Sequence, residues 1–437
     1  MSRAAVLLLL LMISTTALPA GAAARAQAAP ATALGVNNPE FMGMVIRDPW
    51  YDFGTNPKYP GQPNYDFQDT MGLTLSNMGV RWVRLDFLIP LPYNSSADQI
   101  NAEIVKYDYF INTVAPRYNL KILALLNFSL VQADSHELNC EKPECLVVGS
   151  VFGGGVNKYM DAWLTRALMI ADLYRDKIAG YEVLNEENRL ASDASAIAPS
   201  ITGRLLTKFY RFCKNIDPID QNHGCTEDTK IILGGIHPRG TLNAKAPNLT
   251  DAQYLQAIYA DPNSFGSFNA AHGFFPVDGI GYHPYPQEIK LSPNDALVDR
   301  GLNRMRDVLN AVDPGQQFWV TEVGYNVGFD PDGPKNPIPA QTEAGQVAFM
   351  RDVYSSLSTR GDVANVFWFK YEDFPPDSGP RAQHWGVVQI PFTTGDCPGG
   401  ACYDLSGKPA VYRGSYFAYR ELAGAPMART YVPLVGR

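Results

Sequence analysis

Short apolar, β-prone runs alternate along the chain with longer stretches whose apolar residues recur every three or four positions. The runs lie at residues 42–46, 81–87, 121–127, 180–185, 230–235, 279–283, 318–322 and 364–369. They predict eight strands spaced by about 40 to 60 residues, which leaves room for a helix in each gap. Met160, Trp163, Leu164, Ala167, Ile170, Ala171, Tyr174 and Ile178 keep a helical stripe, and Leu302, Met305, Leu309 and Val312 keep another. Eight strand–helix alternations predict a parallel sheet closed into a (β/α)8 TIM barrel. An open doubly wound sheet is the alternative. It would usually carry a glycine-rich phosphate loop after its first strand, and Gly43 and Gly54 flank nothing of that kind.

Polar residues gather at the C-terminal ends of these runs: Arg84, Asp86, Asn127, Asn185, Glu186, His237, His283 and Glu322. In a barrel those ends meet at one face, where active sites lie. The Pro/Gly-rich segments 331–339 and 375–380 and an insertion at 140–155 follow strands and read as loops of that face. A last helix is expected at 414–422. The catalytic domain is expected over 36–425.

The 437 residues allow a large core. A net charge of -8 without a basic patch argues against a nucleic-acid partner. Residues 1–26 read as a signal peptide, with Arg3 before an apolar run at 7–11 and small residues before Gln27. An uncleaved anchor is the alternative, although the run is short for a spanning helix. The protein is therefore expected to be secreted or extracytoplasmic, monomeric and not stably inserted in a membrane. Six cysteines fall in close pairs, Cys140/Cys145, Cys213/Cys225 and Cys397/Cys402. Local disulfides are the simplest expectation for an exported chain. A zinc site is the rival, but the spacing and the lack of His partners do not suit it, so no metal is expected.

The segment Gly180-Tyr-Glu-Val-Leu-Asn-Glu-Glu-Asn188 places three carboxylates at one strand end. Alternation puts residues 182, 184 and 186 on one face and 183, 185 and 187 on the other. Glu186 then stands at the barrel mouth. Glu182 lies deeper as a structural carboxylate, and Glu187 begins a solvated loop. A second apolar run ends in Glu322. Strands four and seven face each other across an eight-strand barrel, so Glu186 and Glu322 can hold two carboxyls across one cleft. Such a pair serves glycosidic cleavage, where one carboxyl protonates the leaving oxygen and the other attacks or activates water.

On these residues the chain resembles the clan A retaining glycoside hydrolases, nearest to families 39 and 5. Asn185-Glu186 matches the clan's Asn-Glu pair, and Glu322 matches its strand-seven nucleophile. The resemblance implies that Glu186 is acid and then base, and that Asn185 binds the sugar 2-hydroxyl. It implies that Arg84 lies by the nucleophile and that Tyr285, or Tyr282, orients it. His283 would neighbour the site, and Trp368 would stack under the sugar at the cleavage point. Trp50, Tyr51 and Trp385 are candidates for outer subsites. No cofactor is implied. Many clan members carry a Pro after the acid/base Glu, where this chain has Glu187. The implied activity is hydrolysis of β-glycosidic bonds of a poly- or oligosaccharide by double displacement. A glycan-binding pseudoenzyme and a glycan-remodelling transglycosylase are the alternatives.

Overall fold

A computed structural model of the protein describes residues 38–47, 63–189, 196–216, 224–238, 249–285, 297–327, 342–374, 384–392 and 403–425. The expected leader, Trp50, Tyr51 and the Cys397/Cys402 pair lie outside these residues. The eight predicted strands form: β1 (Met42–Arg47), β2 (Trp82–Asp86), β3 (Lys121–Leu126), β4 (Gly180–Asn185), β5 (Lys230–Ile236), β6 (Gly279–Tyr282), β7 (Phe318–Val323) and β8 (Val363–Trp368). They pair in sequence order, all parallel, and β8 closes on β1, giving a (β/α)8 TIM barrel.

Helices in the gaps are set by local signals. Asn157 accepts hydrogen bonds from the backbone of Tyr159 and Met160 and starts the helix Lys158–Leu173. Capping boxes at Ser96 and Thr250 start the helices Ala97–Ile104 and Asp251–Ala260. The stripe from Met160 to Ile178 is buried against the barrel, as are Leu302, Met305 and Leu309. Val312 departs from its stripe. It ends the helix Leu297–Val312 and is 39% exposed, past the reach of the core. The expected last helix is Gly414–Leu422.

Two of the three close cysteine pairs are disulfides, Cys140–Cys145 and Cys213–Cys225. No helix among the described residues is long and apolar enough to cross a membrane.

Inside the barrel, Val45, Trp82, Leu123, Ile232, Trp319 and Phe367 pack as a separate apolar cluster. Trp82 meets Trp319 edge-on at 5.5 Å between ring centroids. Each ring of this size removes about 150–250 Å² from water, so the plug makes a dry floor. Two positions further along β2 and β4, the inward side chains are Arg84 and Glu182, both buried. Along β2 the barrel therefore changes from apolar at Trp82 to charged at Arg84 within two residues, and the charged layer lies toward the C-terminal end of the strands.

Candidate active site

Arg84 organises that layer. Its Nε donates to Glu182 Oε2 at 2.5 Å, its Nη1 to Glu322 Oε1 at 2.5 Å, and its Nη2 to Asn185 Oδ1 at 2.7 Å. Burial works to lower its proton affinity, but Glu182 and Glu322 outweigh this and hold the guanidinium charged. The other oxygen of Glu182 accepts from the backbone of Gly235 at 2.9 Å. Glu182 is thus a satisfied structural carboxylate, as expected. Because Arg84 can only donate, the oxygen of Asn185 must face it, and the amide NH2 is the end turned elsewhere.

Glu322 accepts at both oxygens, from Arg84 and from the Tyr285 hydroxyl at 2.5 Å. Burial, with the neighbouring Glu322 charge, pushes the Tyr285 phenol well above its ordinary value, so it remains a donor. Tyr282 is excluded from this role: its hydroxyl donates to Asp251 at 3.0 Å, among the helices outside the barrel.

The strict alternation expected for β4 breaks before its end. Tyr181 packs outward on Phe209, and Val183 and Leu184 both join the same outer core. Leu184 has φ of 69° and Glu186 has φ of 47°, in the left-handed region where a side chain is strained. These two turns reset the phase, so Asn185 and Glu186 both reach the inner site. A register shift between Val320 and Val323 does the same in β7, where Thr321 and Glu322 both meet site residues.

Glu186 is held from three sides. His283 Nδ1 lies 3.2 Å and His237 Nδ1 3.4 Å from Oε1, and Arg189 Nη1 lies 2.6 Å from Oε2. Burial pushes the Glu186 carboxyl up, but the two imidazoles outweigh it and hold the carboxyl well below the usual range. His283 is fully buried, and its Nε2 is 3.0 Å from Thr321 Oγ1. Its ring lies so close over Gly235 that a side chain there would collide with it, which is why β5 carries glycine at that position. His283 Nδ1 is also 3.8 Å from Glu322. Oxygens of Glu186 and Glu322 and a nitrogen of His283 all lie within 4.8 Å of one another. That spacing could suit a cation. However, both oxygens of Glu322 already serve Arg84 and Tyr285, and Arg84 and Arg189 supply the positive charge, so the donor set fits an acid–base pair better.

Trp368 does not reach the site. It is fully buried in the outer core beside Phe349 of the helix Glu343–Ser358, at 6.1 Å. The expectation of a sugar platform there is corrected, because at the end of this strand it is Phe367 and Phe369 that turn to the inner cluster, while Val366 and Trp368 join the outer core. Phe367 fills the plug, and Phe369, joined to Lys370 by a cis peptide, stands at the mouth. Phe369 meets Tyr285 edge-on at 6.1 Å, and Trp385 meets both Tyr285 at 5.4 Å and Phe369 at 5.5 Å. These three rings form an aromatic wall beside Glu322. Glu187 is also corrected: it is 3% exposed rather than solvated, and neither of its carboxyl oxygens has a hydrogen-bond partner.

The sequence reading placed Arg84, Asn185, Glu186, His283, Tyr285 and Glu322 at the site, and the structure brings all six together. It did not assign a role to Arg189, Phe369 or His237. A signal existed for His237, since Ile236-His237-Pro238 repeats the pattern of Tyr282-His283-Pro284 at the end of the next strand.

No protein-family model matches the chain, and no curated protein matches it. Solved structures do. A β-glucosidase from Thermotoga maritima in complex with noeuromycin superposes with a TM-score of 0.53 at 13% identity, over 88% of this chain and 98% of that one. A family 1 β-glucosidase from the same organism gives 0.51 at 12% identity, over 89% and 98%. An endo-laminarinase from Formosa gives 0.49 at 11% identity, over 81% and 84%. The likeness to the two β-glucosidases establishes the fold.

Proposed function

We propose that this chain is an exported glycoside hydrolase that cleaves β-glycosidic bonds with retention. The observation that carries the reading is the meeting of Glu186 from β4 and Glu322 from β7, with oxygens within 4.8 Å, in different surroundings. Retaining enzymes hold their carboxyls about 5–5.5 Å apart, whereas inverting ones need about 6.5–9.5 Å for a water between them. A β-glucosidase is among the proteins of the same fold, which supports the substrate class.

In this reading Glu322 attacks the anomeric carbon, and Glu186 gives its proton to the leaving oxygen. Once the glycosyl-enzyme has formed, Glu186 removes a proton from water, which then displaces Glu322. Tyr285 and Arg84 hold Glu322 at the angle of attack. The amide NH2 of Asn185 donates to the sugar 2-hydroxyl, a contact worth most as positive charge grows on the ring. Phe369 and Trp385 offer flat apolar faces to the C–H side of the sugar. The disulfides and the N-terminal apolar run support export.

The test is a panel of 4-nitrophenyl glycosides, with NMR of the first-formed product. A β-glycoside should be hydrolysed to the β-anomer, and Glu322→Gln should lose at least about 10³ of the rate, the scale of losing a catalytic nucleophile. An α-anomer as first product would overturn retention. Full activity of Glu322→Gln would overturn the nucleophile.

A further inference from the structure

The acid/base carboxyl has no unoccupied oxygen. Oε1 is shared by His237 and His283, and Oε2 is covered by Arg189. Both acceptor positions of Oε1 are taken by the imidazoles, so Oε2 is the oxygen left to face the substrate, and a proton placed there for the glycosidic oxygen competes with the Arg189 guanidinium. The two histidines are anchored. His283 is clamped between Thr321 and Gly235. The backbone of His237 is held at both ends by Asn188, which accepts from its N–H at 2.8 Å and donates to its C=O at 2.8 Å. Arg189 differs: its side chain is 55% exposed, on the loop that follows β4. An ion pair with one partner so exposed is weak, so displacing it costs little.

We propose that Arg189 is a positioning residue, a displaceable counter-ion that adds to the two imidazoles in keeping Glu186 ionised in the free protein until the leaving-group half of the substrate pushes it aside. This rests on the reading of Glu186 as acid/base. Every charged group around Glu186 bears on it. His237 and His283 from the ends of β5 and β6, and Arg84 from β2, favour the carboxylate. Glu322 from β7 and Glu182 from β4 oppose it, and the adjacent Glu187, whose carboxyl burial pushes up to about 8, keeps its proton below that value. All of these except Arg189 are at least 85% buried, with His237 at 15% and Glu322 at 13% exposure the most open. Arg189 is therefore the group whose charge can be withdrawn on binding. Its departure, together with the water shed as the sugar packs over the carboxyl, raises the proton affinity of Glu186 at the moment an acid is needed. The proton comes from solvent during binding and passes to the leaving oxygen in the chemical step.

The test compares the native protein with Arg189→Gln and Arg189→Lys. The pH dependence of kcat/KM reports the free protein and that of kcat reports the complex. With a phenyl β-glycoside, whose leaving group needs a proton, the alkaline limb of kcat/KM should lie at lower pH than that of kcat. Arg189→Gln should move the kcat/KM limb upward, closing the gap, while leaving the kcat limb in place. Arg189→Lys should keep the gap. With a 2,4-dinitrophenyl β-glycoside, which departs unprotonated, the substitution should have no such effect. Equal movement of both limbs, or movement of neither, would overturn the proposal. A readout that does not need turnover separates this idea from the reading beneath it. In 13C NMR of glutamate-labelled protein, assigned with Glu186→Gln, the Glu186 carboxyl should titrate at higher pH in Arg189→Gln than in the native protein. An unchanged titration refutes the counter-ion role whatever the activity. A raised titration without hydrolysis of any glycoside upholds the counter-ion role and sinks the hydrolase instead.

Discussion

Replacing Glu187 with glutamine should make the protein more stable in mildly alkaline solution and leave it nearly unchanged in acid. Glu187 is buried, and burial pushes its carboxyl up to about 8, with the charges of Glu182 and Glu186 adding to the effect. In the unfolded chain the same group ionises near 4.5. Between those values the folded state keeps a proton that the unfolded state has lost. Stability then falls as pH rises through the window and levels off above its upper edge. Each pH unit is worth about 1.4 kcal/mol, so the full window costs the native protein about 5 kcal/mol as an upper bound. Glutamine has the same shape and no proton to lose, so the slope contributed by this residue disappears. Urea unfolding of both proteins at pH 5, 6.5 and 8 measures the difference, which should open steadily with pH to several kcal/mol, of the order set by that window. Parallel curves for the two proteins at all three pH values would mean that Glu187 is ionised and satisfied in the fold, and the argument from burial would fall.

Two further substitutions separate the neighbours at the end of β8. Trp368→Leu should lower stability by about 2–4 kcal/mol, the cost of a cavity in the outer core, and should spare kcat of the molecules that fold. Phe369→Ala should do the reverse, raising KM about tenfold for the loss of one stacking face and changing the unfolding midpoint little. Steady-state kinetics beside thermal unfolding distinguishes them, and a kinetic defect confined to Trp368→Leu would return the platform to Trp368. Arg84→Lys should lower kcat at least about 100-fold, because one ammonium cannot serve Glu182, Glu322 and Asn185 in the fixed directions of a guanidinium fork. A rate within about threefold of native would mean that the fork geometry is not needed.

Much of this architecture was legible in the sequence, because a parallel barrel repeats one pattern. Each strand is a short apolar run, and most end in or beside a polar residue where the barrel opens. The strand positions, the helical stripe from Met160 to Ile178 and the gathering of Arg84, Asn185, Glu186 and Glu322 all follow from that. The errors fall where phase mattered. Val366-Phe367-Trp368-Phe369 is apolar on both faces, since a parallel strand is covered inside and out. Nothing in its composition tells which aromatics turn inward. Leu184 adopts a left-handed backbone without being glycine, so the reset that turns both Asn185 and Glu186 inward carries no sequence mark. Glu187 looked like the start of a solvated loop because charge usually means exposure. Its burial depends on elements distant in sequence, such as that of Tyr254, whose phenol is pushed up by burial first and by the nearby Glu187 carboxyl second.

The buried charges also explain why Glu182 is present at all. Arg84 paired with Glu322 alone would form a neutral couple, and a carboxylate fully engaged by one guanidinium is a poor nucleophile. Glu182 and Asn185 divide the donors of Arg84 among three acceptors. Glu182 and Glu322 each accept at both oxygens, which is what the ionised form does. One cation thus stands against two carboxylates, and the cluster carries a net negative charge above a floor of Trp82, Trp319 and Phe367. Water cannot relax that charge from below, and the tyrosine and arginine that orient it are already in place. Negative charge fixed in advance beside the anomeric carbon stabilises positive charge developing on the sugar without reorganisation at the moment of reaction. A glycan-binding protein would gain little from such a cluster, since its ligand is neutral at that atom. In the proposed hydrolase the structural carboxylate Glu182 would therefore also add its charge to that of Glu322 beneath the reacting sugar.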